Sequence, residues 1–236
     1  MKAMYYSSES RGGADHGWLK AKHSFSFASY YDPERMGFGA LRVLNDDEIA
    51  PNRGFGTHPH DNMEIITIPF EGSLEHKDSM GNSGVIDSNT IQVMSAGKGI
   101  QHSEVNPNSD VTTKLFQIWV TPDKKDVEPR YDQLSLENLK HSNKFNQILS
   151  PNPDDDGVWI HQQSWFYMGE FSKEVKEVIK VKGENGGVYV IVIEGEVNIG
   201  GKTLKRRDAL GLWDMKEFSM DIKTNSKILV MEVPLS

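Results

Sequence analysis

The chain has 236 residues, of which 37% are hydrophobic and 25% charged, and its formal net charge is −8. Such a composition supports one large domain or two of ordinary size and excludes disorder as the main state. The acidic balance repels phosphate backbones, so direct nucleic-acid binding is not expected, and the absence of cysteine excludes disulfides, thiolate metal sites, iron–sulfur clusters and thiol catalysis.

The N-terminal stretch "MKAMYYSSESRGGADHGW" has no apolar signal core. The longest apolar run, near "GGVYVIVIEG", is too short to span a bilayer. A cytoplasmic protein with no membrane association is expected. Strand signals then dominate. "HSFSFASYY" (His23 to Tyr31) alternates polar with aromatic residues, and "GALRVLNDDEI" (Gly39 to Ile49) reads as a strand followed by an acidic turn. "MEIITIPFEG", "NTIQVMSAG" and "KLFQIWVTP" are short β-rich runs closed by Gly or Pro. Their spacing predicts an all-β sandwich or barrel. Between Thr121 and Pro153 the chain turns polar, with one short helix predicted around Ser135 to Lys140. A linker is placed at residues 131–150, joining an N-terminal domain over 1–130 to a C-terminal domain over 151–236.

The second domain repeats the first. "GGVYVIVIEGEVNIGG" and "MEIITIPFEGSLEHKDSMGN" each read as an apolar strand, Glu-Gly, and a new strand. Setting Gly72 on Gly195 is the signature of a duplicated β module. In that register His58 falls on Val181 and His60 on Gly183. If the first copy binds a metal ion, the second lacks the ligands.

"GFGTHPHDNMEI" holds the first candidate pair, His58 and His60. In a strand, residues i and i+2 face the same side, about 7 Å apart. Two imidazoles so spaced can converge on one ion, or can be ordinary residues on a solvated face. "AGKGIQHSEV" supplies a second pair, His102 and Glu104. On facing barrel strands the two pairs would bring three imidazoles and a carboxylate together. Nitrogen and oxygen donors of this kind suit a divalent first-row metal and leave its identity open. Among the other histidines, His76 reads as a hydrogen-bonded strand residue near the site, His16 and His23 as packed against aromatics, His141 as loop surface and His161 as structural. Trp119, Trp159, Trp165 and Trp213 read as core or interface aromatics. "PDDDG" lacks the ligand spacing of an EF-hand and reads as a solvated turn.

These motifs resemble a known family. "GTHPHDNMEI" with the following "EG" is similar to the first cupin motif, and "GKGIQHSEVN" to the second. The His-x-Glu ending, with "MSAGKGIQHSE" ahead of it and "HGWLKAKHSFSFASYYDPERMGFGALRVLNDD" upstream, resembles the pirin branch. The likeness covers about the first 130 residues, and the later part resembles the degenerate second cupin of the same proteins. It implies a bicupin, two tandem jelly-roll β-barrels with metal bound only in the first. The implied ligands are His58, His60, His102 and Glu104, with Glu64 kept as a candidate neighbour. Iron is the first choice of ion, and Cu, Mn, Ni, Co and Zn are compatible. Gly97 stands where the second motif usually has proline. The implied function is cleavage of flavonols such as quercetin, or similar aromatic enols, with O₂ and release of CO. Glu104 would act as the base for the substrate hydroxyl. The alternative is a non-catalytic, metal-dependent redox sensor or transcriptional cofactor acting through protein partners.

Overall fold

The fold is given by a computed structural model that describes residues 1–139 and 141–235, without the side chains of Asn138 and Leu139. Described residues form short β-strands almost throughout, with two 3-10 turns at Ser8–Ser10 and Leu136–Leu139. No helix among them is long and apolar enough to cross a membrane. The predicted helix around Ser135 to Lys140 is the second of these turns, and Lys140 lies outside the described residues.

The strands make four sheets, a seven-stranded and a four-stranded one in each half of the molecule. The N-terminal seven-stranded sheet runs, edge to edge, Arg130–Ser135, Thr90–Ser95, Glu64–Glu71, Thr113–Val120, Leu41–Ile49, Leu19–His23 and Gly12–Asp15. Its four-stranded companion runs Gly54–His60, Ile100–Val105, Ser73–Asp78 and Ser83–Asp87. The C-terminal half repeats the arrangement. Its seven-stranded sheet also takes in Lys2–Tyr6, which pairs with Ala209–Trp213. Within the expected linker, Arg130–Ser135 extends the N-terminal sheet and Phe145–Ser150 joins the C-terminal one.

The repeated Glu-Gly step has a structural counterpart. Gly72 (φ +70°) and Gly195 (φ +83°) both turn the chain from a seven-stranded sheet into the four-stranded one. A Cβ at either would collide with the first residue of a neighbouring strand, Thr113 or Ser226. Left-handed backbone and close approach both require glycine.

The two seven-stranded sheets contribute to one shared apolar core. Leu44, Ile66, Phe116 and Ile118 from the N-terminal sheet pack in it with Phe166, Tyr189, Ile191 and Leu229 from the C-terminal sheet. Each sheet is therefore buried on two sides, and its strands read as nearly continuous apolar runs. Alternation assigns the faces. On Thr113–Val120, Phe116 and Ile118 enter the shared core, while Gln117 and Trp119 line a cavity inside the N-terminal barrel. The matching interior of the C-terminal barrel is filled by Val188, Val190, Val192, Leu212, Phe218 and Met220.

Two expectations change here. The regular strand of "HSFSFASYY" stops at His23; beyond it Phe27 and Tyr30 make only an isolated bridge. The expected acidic turn is instead the continuation of Leu41–Ile49. Tertiary partners outweigh the weak strand propensity of its acids. Asp46 Oδ2 accepts from Arg11 Nη1 at 3.0 Å and from Arg207 Nε at 2.8 Å. Arg207 also donates to the Ile193 carbonyl, which ties the halves together. Removing one partner of a buried ion cluster leaves the other charges uncompensated. Asp46→Ala should therefore lower the unfolding free energy by about 3 kcal/mol. Urea unfolding measures this, and a loss below about 1 kcal/mol would show that the bridge does not hold the halves.

Candidate metal centre and its cavity

Three adjacent strands of the four-stranded sheet carry the chemistry. The edge strand Gly54–His60 brings His58 and His60; Pro59, between them, needs no ladder donor at an edge. Ile100–Val105 pairs with it so that His102 lies opposite His58 and Ile100 opposite His60. The register slips between His102 and Glu104, bringing Glu104 opposite Phe55. Such a bulge re-aims side chains locally. On the other flank, Ser73–Asp78 sets Asp78 opposite His102 and His76 opposite Glu104. Ahead of His102 the chain turns through Gly97 (φ +49°) and Gly99 (φ +133°). Proline cannot adopt such a φ at position 97, and the Val127 carbonyl leaves no room there for a side chain.

The predicted residues come together in two overlapping groups. The nitrogens of His58, His60 and His102 all lie within 4.8 Å of one another, as do ligand atoms of His76, His102 and Glu104. Ring centroids of His58 and His102 are 4.5 Å apart, and those of His60 and His102 4.9 Å. These separations are near the roughly 4 Å spanned by a coordination sphere with metal–nitrogen bonds of about 2.1 Å.

Hydrogen bonds fix which nitrogens face the centre. His58 Nδ1–H donates to the Gly56 carbonyl at 2.8 Å, leaving Nε2 with its lone pair. Asp78 Oδ2 can only accept, so His76 donates to it from Nε2 at 3.2 Å. His76 Nδ1 is then the acceptor for His102 Nδ1–H at 3.5 Å. That leaves His102 Nε2 as a buried lone pair with no partner among the described residues. An orphaned buried acceptor beside two further imidazoles is the donor set a divalent ion needs, and carboxylate-to-histidine chains of this kind orient such ligands.

Burial holds His60 and His102 neutral. Desolvation, reinforced by His58, lowers His60 to about 4; desolvation, with His58, His60 and His76 adding to it, lowers His102 to about 3. Glu104 is fully buried and its pKa is raised by desolvation, against the bonds it accepts from Gln117 Nε2 (2.8 Å) and Thr67 Oγ1 (3.4 Å). At Asp78 burial is outweighed by bonds from Asn82, His76 and Met80, which keep the carboxyl below its ordinary range.

Glu64 lies elsewhere. It accepts from Ser95 Oγ at 2.7 Å and from the backbone of His161, and it is in neither ligand group. Its strand sends it toward the C-terminal half, where Arg130 caps Trp159 at 3.9 Å. His161 packs on Trp159 as a structural residue.

Beside the three histidines is a cavity of about 200 Å³. Leu19, Ala21, Phe27, Phe55 and Trp119 give it apolar walls, and His23, Asn45, Asp47, Gln117 and Glu104 give it polar ones. Trp119, expected in the core or an interface, lines this cavity and meets His60 edge-on at 4.9 Å. A larger cavity, about 490 Å³, is lined by residues of both halves, including Leu136, Ile148, Met168 and Phe171, and holds none of the predicted ligands. Sequence reasoning missed Asp78 and Asp47. The signal for Asp78 was present: His76-x-Asp78 is a third i, i+2 pair like the two that drew attention. Asp47 was hidden in the supposed turn.

Two family sequence models match the chain, Pirin over residues 6–120 and the quercetinase C-terminal cupin domain over residues 147–233. A protein of Escherichia coli strain K12 named quercetin 2,3-dioxygenase is 42% identical over 224 residues, covering 95% of each chain. A pirin-like protein of Caulobacter vibrioides is 40% identical over 221 residues, covering 94% of this chain and 95% of its own. The crystal structure of the bacterial pirin YhhW from Escherichia coli, in complex with nickel(II), superposes with a TM-score of 0.94 at 39% identity, covering 100% of both chains. With cupin-type halves in tandem and similarity running over nearly its whole length, the chain belongs to the pirin family of bicupin proteins.

Proposed function

We propose that the protein is a metal-dependent dioxygenase that opens flavonols or similar aromatic enols with O₂ and releases CO. His58, His60, His102 and Glu104 are its metal ligands in this reading. The observation that carries it is the buried, partnerless Nε2 of His102, set among two further imidazoles at the wall of a cavity. Family relatives named quercetin 2,3-dioxygenase support the substrate class.

A bound divalent ion would supply Lewis acidity and a place for the enol oxygen. The chain's own side chains do the rest. His58 and His102 are pre-oriented by the Gly56 carbonyl and by His76, so no rotamer search precedes binding. Glu104 is the base for the substrate hydroxyl. Its Oε2 is tied to Gln117, whereas Oε1 has only the long Thr67 contact and is the atom free to take the proton. Desolvation raises its pKa, which favours the protonated form the base must reach. Phe27, Phe55 and Trp119 give the enolate an apolar surrounding.

Turnover and metal content test this reading. Metal-loaded protein should release CO and bleach flavonol absorbance faster than the free ion; a rate equal to the free ion would leave only a binding role. By elemental analysis, His102→Ala should lose its metal, and His76→Gln should bind it about 10–100-fold more weakly because the ring is no longer oriented. Glu64→Gln should keep full metal content. Burial raises Glu64 to about 7, above its unfolded value, so the folded state holds this proton more tightly than the unfolded one. Its contribution to stability is thus present below about pH 4.5 and lost as pH rises toward 7. The glutamine variant should show a flatter stability profile across that window and be about 2 kcal/mol more stable at pH 8. Urea unfolding at several pH values measures both.

A further inference from the structure

Asp47 has no part in the metal centre as described, yet it lines the same cavity. It is 4% exposed, and its Oδ1 has no hydrogen-bond partner. Among the described residues no hydrogen bond or ion pair reaches its carboxyl group, although its neighbour Asp46, on the opposite strand face, has two arginines. The other polar groups of that wall are engaged. His23 Nδ1–H donates to Asn45 Oδ1 at 2.9 Å, and the Gln117 amide bonds Glu104 and Thr67. A carboxyl buried without a partner costs folding free energy, and such groups are kept where a ligand completes them.

We propose that Asp47 is a specificity-determining residue, whose carboxyl group hydrogen-bonds a hydroxyl of a polyhydroxylated aromatic ligand away from its chelating edge. The proposal rests on the flavonol reading of the cavity. Desolvation, with Asp46 and Glu104 adding to it, pushes Asp47 up to about 8, which favours the carboxylic acid, a group able both to donate and to accept. That matches a phenol, which also does both. An apolar wall would grip a bare ring system equally well, whereas a site with a buried hydrogen-bonding group discriminates against the analogue that cannot complete it.

The test uses nickel-loaded protein without O₂, titrated with quercetin and with 3-hydroxyflavone. Both share the chelating hydroxyl and carbonyl, but only quercetin has further hydroxyls. Wild-type protein should bind quercetin about tenfold more tightly or better, and Asp47→Leu should bring the two affinities to within about twofold, with unchanged nickel content. Should leucine unfold the chain, the same-shaped Asp47→Asn carries the test. Its preference should shrink at least about threefold, because an amide N–H is a weaker donor than a carboxylic O–H. A preference that survives substitution, or loss of nickel from the variants, overturns the assignment of Asp47 alone. Failure of wild-type protein to bind either flavonol overturns the flavonol reading and this inference with it.

Discussion

The two-residue period of the β-strand decides where every chemically active side chain of this protein lies. Three neighbouring strands each carry a polar pair at i and i+2: His58 and His60, His102 and Glu104, His76 and Asp78. Because the strands are adjacent and in register, the pairs form one continuous polar surface on that sheet of the barrel. A slip of one residue in any of them would turn its pair outward. The bulge between His102 and Glu104 is the one local departure, and it falls within the site.

That polar surface is tolerable because its members support one another. Neutral histidines cost less to bury than charged ones, and desolvation keeps His60 and His102 neutral. The chain from Asp78 through His76 to His102 directs each hydrogen outward and leaves one lone pair inward. Gln117 and Thr67 play the same part for Glu104. The second barrel shows the alternative solution. With valine, leucine, methionine and phenylalanine in its interior, it closes over a largely apolar core, in which the buried Glu232 accepts from the backbone N–H groups of Lys182 and Gly183. One duplicated module thus encloses a cavity walled by polar groups in one half and a packed interior in the other.

Between the halves, strand alternation has a further consequence. Asp46 and Asp47 are consecutive, so one meets the arginines that tie the halves together and the other meets the cavity. Glu64 is likewise sent away from the histidines by the strand that follows them, and works at the seam with Ser95 and Arg130. Residues near each other in the sequence are thereby divided between stability and chemistry.

Much was legible in the sequence by itself. Alternating apolar runs, the repeated Glu-Gly step and the His-x-His and His-x-Glu pairs determined the all-β class, the duplication and the candidate ligands. These are local signals: strand period and glycine turns depend on neighbours a few residues away. Tertiary structure alone decided that the acidic run at Asp46 and Asp47 is strand rather than turn, since the arginines satisfying Asp46 come from positions 11 and 207. It alone set His76 behind His102, took Glu64 out of the site and left Asp47 without a partner. Those outcomes depend on which strands become neighbours, and strand neighbourhood follows from the burial of whole sheets, which no short stretch of chain encodes.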